Sequence, residues 1–128
     1  MTFFHGCREI TIELSQTKLA SADSLPQYWN FNRDSLLNLI NESLYGIQGT
    51  VSDKASGQPL SAMIEIEGHD ADNSFVMTKA SSGGFHRPIA PGTYTVLVSA
   101  NGYENARIEN VSAKDHEATL LRVELSRK

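Results

Sequence analysis

The second half of the chain consists of short runs in which apolar and polar residues alternate, separated by residues typical of turns. Alternation with a period of two places successive side chains on opposite faces of a strand. It predicts seven strands, at Ile47 to Ser52, Ala62 to Glu67, Phe75 to Ala80, Gly84 to Pro88, Thr93 to Ala100, Asn105 to Asn110 and Thr119 to Leu125. This number and spacing indicate a mainly β domain, a seven-stranded antiparallel β-sandwich.

The same alternation predicts which side chains form the core. In the second strand the apolar positions should face inward and the glutamates should face water, and the longest strand repeats that arrangement. The expected core residues of these two strands are Ala62, Ile64, Ile66, Tyr94, Val96 and Val98. Between strands, Pro91-Gly92 predicts a type II turn with a positive φ at Gly92, and Ser81 to Gly84 predicts a hairpin turn.

The first 45 residues show a different pattern. Arg8 to Ser15 alternates apolar and polar residues, which predicts a strand, and Gln16 to Gln27 is polar enough for a loop. From Phe31 to Tyr45 the leucines and isoleucine recur at helical spacing, and Asn30 or Asn32 can cap the start of that helix. We therefore predict a strand, a loop and a helix before the sandwich.

Composition and charge restrict the classes of function. The chain has 128 residues, is 40% apolar and carries a net charge of −4 without any run of Lys or Arg, which argues against a nucleic-acid or anionic-membrane partner. No apolar stretch approaches the roughly 20 residues of a membrane span, and the N-terminus lacks the features of a signal peptide. We expect either a cytosolic protein or a targeting segment upstream. Cys7 is the only cysteine, so no internal disulfide can form.

Two short motifs near the N-terminus resemble one enzyme family. The run Cys7-Arg8-Glu9-Ile10-Thr11-Ile12-Glu13-Leu14-Ser15, followed by Leu25-Pro26-Gln27-Tyr28-Trp29, is similar to the last active-site strand and the segment before the final helix of zinc metallocarboxypeptidases of the regulatory branch, carboxypeptidases E, N, M and D. The resemblance implies that residues 1–45 are the C-terminal remnant of an α/β peptidase domain.

The sandwich region resembles the domain that follows the peptidase domain in that family, the transthyretin-like or carboxypeptidase regulatory-like domain. The motifs that carry this resemblance are Gly49-x-Val51-x-Asp53, Gly57-x-Pro59-Leu60, Ala62-x-Ile64-x-Ile66-x-Gly68, Gly84-Phe85, Pro91-Gly92-x-Tyr94-x-Val96 and Ala100-x-Gly102-Tyr103. Each motif is weak alone, but their order is specific. It implies an accessory domain over residues 46–128, and a periplasmic or secreted location for the protein.

The resemblance also implies one catalytic residue, Glu13. In the family this glutamate takes a proton from a zinc-bound water and passes it to the leaving amine. From periodicity alone, Glu13 is the polar residue on the solvent side of a strand, and Glu9 has the same parity; the following Leu-Ser selects Glu13. The zinc ligands, a His-x-x-Glu pair and a distant His, have no counterpart here, and the arginines that bind the substrate's terminal carboxylate must also lie upstream.

We therefore interpret the chain as the C-terminal portion of a zinc carboxypeptidase, inactive alone, whose partners are the upstream catalytic domain and, for the parent enzyme, peptide substrates. The chain itself is expected to hold no cofactor. The alternative is a stand-alone regulatory-like β-sandwich that binds a partner. A transthyretin-type hydrolase of a purine-pathway intermediate is discounted, because that family ends in Tyr-Arg-Gly-Ser and this chain ends in Leu125-Ser126-Arg127-Lys128.

Two further patterns allow alternative interpretations. Asp70-x-Asp72 is similar to the start of a calcium loop, but Phe75 stands where such a loop needs glycine, so we reject a calcium site. Tyr28, Trp29 and Phe31 form an aromatic cluster that could be a binding patch. We expect instead that they pack the helix onto the sandwich, because aromatic residues bury large areas at junctions.

Overall fold

The structure is a computed structural model that describes residues 11, 13, 15, 16 and 18–128. A short 3-10 turn, Ala22–Ser24, leads into one α-helix, α1, at Leu25–Glu42. Seven strands follow: β1 (Gly46–Asp53), β2 (Met63–Ile66), β3 (Val76–Met77), β4 (Gly84–Arg87), β5 (Gly92–Ser99), β6 (Ala106–Ala113) and β7 (Ala118–Leu125). Within the described ranges, no helix is long and apolar enough to cross a membrane.

The strands form two sheets, which confirms the predicted mainly β architecture of seven strands. The first sheet has the order β4-β1-β7 and the second has the order β3-β2-β5-β6. One pairing differs from the antiparallel expectation, since β1 and β7 run parallel from Gly46 opposite Ala118 to Asp53 opposite Leu125. The chain passes from β6 of the second sheet to β7 of the first. The sequence does not predict the direction of β7, because alternation along a strand carries no information about the direction of its neighbour.

The core lies between the two sheets. The inward positions predicted for β2 are confirmed, because Ala62, Ile64 and Ile66 are fully buried. Val96 and Val98 of β5 are fully buried as well, whereas Tyr94 is half-buried next to a bulge between Tyr94 and Val96. Burying each of these isoleucine and valine side chains stabilises the fold by about 1.5–3 kcal/mol.

The turn predicted at Pro91-Gly92 is not a type II turn, so that prediction is wrong. The φ of Gly92 is not positive, and Gly92 is the first residue of β5, paired with Ala113 of β6. A Cβ on Gly92 would lie 2.9 Å from the Tyr94 hydroxyl oxygen, and that hydroxyl donates to the carbonyl of Ala90. Gly92 therefore makes room for a side chain rather than for an unusual backbone conformation. A turn is present at Ser81 to Gly84, with Gly83 at φ 66°, but it does not join a β-hairpin as predicted, because β3 and β4 lie in different sheets.

The helix begins six residues earlier and ends three residues earlier than the predicted span Phe31 to Tyr45. Pro26 lies in the first turn of α1, where a proline fits because its missing N–H has no partner there in any case. Asn32 lies inside the helix and donates to the carbonyl of Tyr28 instead of capping. The loop predicted over Gln16 to Gln27 thus ends at the 3-10 turn.

The expected packing of α1 onto the sandwich is also wrong. No residue of α1 is buried, and in the aromatic cluster Trp29 is 56% and Phe31 70% exposed. Of the strand predicted over Arg8 to Ser15, the structure describes only Thr11, Glu13 and Ser15, none of them in a strand, and the other residues lie outside the described part. The division between residues 45 and 46 stays a prediction.

Candidate functional site

The predicted catalytic residue, Glu13, lines a groove between the segment before α1 and the first turns of α1. The groove has a cavity volume of about 730 Å³. Its lining residues are Glu13, Ser15, Gln16, Lys18, Ala20, Leu25, Tyr28 and Trp29. The cavity is large enough for an amino-acid side chain together with part of a peptide backbone.

The wall contributed by α1 is apolar and aromatic. Leu25, Tyr28 and Trp29 are spaced by three and four residues, so they lie on one face of the helix. The exposed side chains of Glu13 and Lys18 line the same cavity. The groove therefore combines a proton-accepting group and a cation with an apolar surface, which is an arrangement suited to a short peptide segment.

The sequence predicts Glu13 as a catalytic residue, which stays a prediction, and it does not predict the other residues that line the groove. The sequence pattern puts Leu25 in a predicted loop and packs Tyr28 and Trp29 on the sandwich, so it does not predict that these three side chains line one groove with Glu13. The signal that could have revealed it is Pro26, which favours the first turn of a helix. A helix begun there brings Leu25, Tyr28 and Trp29 into one row.

The described residues do not fit a zinc ion. Among residues 11, 13, 15, 16 and 18–128 no group of three His, Cys, Asp or Glu side chains is arranged to hold a metal. The described residues that line the groove include one carboxylate and no imidazole. The histidines lie elsewhere: His69 contacts Asp70, His86 donates to the carbonyl of Tyr45, and His116 approaches Glu42. His5 is outside the described residues.

A second polar cluster, around Asp53, is structural. The Asp53 side chain is 2% exposed, and its oxygens accept hydrogen bonds from the Ala55 and Ser56 backbone N–H groups, from Tyr103 Oη at 2.9 Å and from Arg127 Nε at 2.9 Å. These bonds, the one from Ala55 first, lower the pKa of Asp53 from 3.8 to about 2. The cluster fastens the end of β1 to the turn after β5 and to the C-terminus.

This cluster gives a testable pH dependence. Because the pKa of Asp53 is lower in the folded chain than in the unfolded chain, its contribution to stability is complete above about pH 4 and is lost as the pH falls towards 2. Asp53→Asn should therefore unfold at lower denaturant concentration than the wild type at pH 7, and the difference should narrow below pH 4. Denaturation curves between pH 7 and pH 2 measure it, with Asp23→Asn, an exposed carboxylate, as the control. A difference independent of pH would contradict the assignment.

Asp70, the first residue of the rejected calcium motif, is also used within the fold. Its side chain is 3% exposed; Oδ2 accepts from the Ile66 N–H, and Oδ1 contacts His69 Nδ1 at 2.9 Å and the Arg87 guanidinium. Burial raises the pKa of Asp70, but the hydrogen bonds, led by that of His69, outweigh it and the net shift is downward. Both oxygens thus have protein partners.

Comparisons with known proteins all point to the same family. A sequence model of the carboxypeptidase regulatory-like domain matches residues 46–126. Carboxypeptidase D of Mus musculus is 39% identical over 115 residues, which cover 89% of this chain and 8% of that protein. Carboxypeptidase D of Drosophila melanogaster is 36% identical over 122 residues (94% and 8%), and the carboxypeptidase N catalytic chain of Homo sapiens is 32% identical over 122 residues (95% and 26%).

The extent of these matches is informative in two ways. The chain spans only about a twelfth to a quarter of the length of these relatives. A match of 115 residues is also longer than the 83 residues from Gly46 to Lys128, so the similarity continues into the part that holds α1. The segment before the sandwich therefore has counterparts in the relatives, as the sandwich does.

Proposed function

The chain belongs to the carboxypeptidase regulatory-like domain family through residues 46–126, and on that basis we propose that it is the C-terminal region of a zinc carboxypeptidase that removes C-terminal amino acids from peptides or proteins. In this proposal residues 1–45 complete the peptidase domain and the β-sandwich is an accessory domain. We place the parent in the periplasm or outside the cell, on the resemblance alone.

The observation that carries the proposal is the exposed apolar surface of α1. Five large apolar side chains of this helix are between 52% and 70% exposed: Leu25, Trp29, Phe31, Leu37 and Ile40. An 18-residue helix gains most of its stability from packing its apolar side chains, and α1 buries none of its residues. A larger peptidase domain supplies the cover that this helix needs, and the matches to carboxypeptidases D and N that extend before residue 46 support that source.

Glu13 is the residue to which we assign a catalytic role. Its exposed carboxylate on the groove wall is free of the sandwich core and has space beside it for a substrate. A carboxylate in that position can accept a proton from the attacking water and return it to the amine that leaves when the peptide bond breaks. The zinc of the parent does not fit the described residues, so its ligands are assigned to the remainder of the polypeptide.

The first test uses the gene and the protein together. We expect the DNA upstream of codon 1 to continue an open frame that encodes His-x-x-Glu, and the long polypeptide to release C-terminal amino acids until a chelator is added. The chain of residues 1–128 should release none and should bind no stoichiometric zinc.

Two results would contradict this proposal in different ways. An upstream frame without that motif would favour the stand-alone binding module. Chelator-sensitive hydrolysis by residues 1–128, with one zinc per chain, would show that the chain holds its own metal site. It would overturn the proposal that the zinc ligands lie in the remainder of the polypeptide.

A further inference from the structure

The C-terminal end of α1 is held by side chains of the sandwich. Gln48 Nε2 of β1 donates to the carbonyl of Leu44 at 2.5 Å, and His86 Nε2 of β4 donates to the carbonyl of Tyr45 at 3.0 Å. The last turn of the helix has no basic residue of its own. Because α1 buries none of its residues, the contacts at its end are what attach the helix to the sandwich.

The loop between β6 and β7 adds a further attachment through His116. Its ring meets the ring of Tyr45 edge-on, with the centroids 5.5 Å apart, and its Nδ1 lies 3.4 Å from Glu42 Oε1. His116 has a φ of 55°, a left-handed conformation that histidine adopts more often than most residues. In the same loop, the carbonyl of Glu117 accepts from the N–H of Gly46 at 3.4 Å. The loop thus contacts both the last residue of α1 and the residues that follow it.

Both nitrogens of the His116 ring face carboxylates. Nδ1 approaches Glu42, and Nε2 lies 3.6 Å from Asp115 Oδ2. A neutral imidazole has one N–H and one lone pair, so it can donate to only one of these carboxylates and must turn its lone pair towards the other. The imidazolium has two N–H groups, and its positive charge suits both carboxylates and the C-terminal end of a helix. The arrangement therefore fits the protonated ring.

The other charged and titratable groups at this end of α1 do not replace the His116 contact. In the loop, Lys114 Nζ lies 3.5 Å from Glu117 Oε2, so that cation is paired within the loop. His86 makes its hydrogen bond to the backbone in either protonation state, because a carbonyl needs only one N–H. The residue directly opposite it on β1, Gln48, carries no charge. His116 is thus the group whose contacts with α1 depend on its proton.

We propose that His116 is a pH-sensitive latch that fastens α1 to the sandwich when its ring carries a proton. Histidine side chains titrate between about pH 5 and 8, whereas carboxylates ordinarily stay ionised over that range. The ion pair with Glu42 is therefore complete at the acidic end and is lost as the pH rises through the range. Every contact of the latch lies within residues 42–117, so the inference goes beyond the proposed function and does not depend on it. A protein that moves from neutral to acidic surroundings would hold α1 more firmly.

Amide hydrogen exchange tests the latch in the chain of residues 1–128. The amides of Ser43, Leu44 and Tyr45 donate to carbonyls of the last turn of α1, so their protection reports how firmly this end is held. After division by the intrinsic exchange rates, protection should be roughly two- to five-fold greater at about pH 5.5 than at about pH 7.5, the range expected for one exposed ion pair. Trp29, the only tryptophan, lies on α1, so its time-resolved fluorescence anisotropy gives a second measurement. The amplitude of its segmental motion should be smaller at the lower pH.

Four variants assign the effect to its residues. His116→Gln and Glu42→Gln each remove one charge of the pair and should abolish most of the pH dependence. His86→Gln should lower protection by the same factor at both pH values. His69→Gln, the matched control, changes a histidine that contacts Asp70 instead of α1 and should leave the pH dependence intact. Equal protection of the wild type at both pH values, or a pH dependence that is unchanged in Glu42→Gln or lost in His69→Gln, would overturn the latch.

Discussion

Replacing Glu13 by glutamine in the long polypeptide is expected to lower kcat for release of a C-terminal amino acid by about 10²–10⁴-fold, the usual contribution of a positioned general acid–base group. The amide has nearly the shape of the carboxylate but cannot accept the proton, so KM should change little. Steady-state kinetics on a short peptide measures both constants. Folding should be unaffected, because Glu13 is exposed and lies outside the core.

The control for this variant is Glu9→Gln, which makes the same chemical change at a position of the same parity in the sequence. Only the family resemblance distinguishes the two glutamates, so the comparison tests that assignment directly. Equal losses of kcat for both variants, or a greater loss for Glu9→Gln, would show that Glu13 is not the catalytic carboxylate. A rise in KM alone would indicate substrate binding instead of proton transfer.

The strands of the sandwich could be predicted from the sequence because only one face of each strand points into the core. Ala62, Ile64 and Ile66 alternate with polar residues for that reason, and the pattern needs no knowledge of the neighbouring strands. Strand direction does depend on the neighbours, so the parallel pairing of β1 with β7 was not predictable from alternation. The reason for a glycine at position 92 depends on the side chain of Tyr94, a contact that turn statistics do not include.

The candidate site was predicted less completely, for a different physical reason. Its residues belong to a part of the chain whose large apolar side chains are exposed in the described structure. The hydrophobic pattern predicts that α1 packs against the sandwich, but α1 has no buried residue. For the same reason the pattern predicts that Trp29 and Phe31 lie at a junction with the sandwich, whereas both are more than half exposed. The same apolar residues are accounted for once their cover is assigned to the proposed peptidase domain, which composition and periodicity of these 128 residues do not reveal.

Replacing Gly49 by alanine is expected to destabilise the sandwich by about 3 kcal/mol or more, which corresponds to a fall of roughly 10 °C in Tm. Gly49 lies in the central strand of the first sheet, opposite Phe85 of β4 and Leu121 of β7. A Cβ there would be 2.1 Å from the carbonyl oxygen of Leu121 and 2.9 Å from the Phe85 ring. The carbonyl is backbone of a paired strand, so relief requires β7 to move away from β1.

Gly84→Ala is the matched control, because it adds the same methyl group at a glycine in the neighbouring strand β4. The atom nearest to a Cβ on Gly84 is the Ser82 hydroxyl oxygen, at 3.2 Å, which a side-chain rotation can move. Thermal or denaturant unfolding should give a change for Gly84→Ala within about 1 kcal/mol. If Gly49→Ala proved no more destabilising than this control, β1 and β7 would have to lie farther apart than described. The parallel pairing of β1 with β7 would then need revision, since it places the Leu121 carbonyl against Gly49.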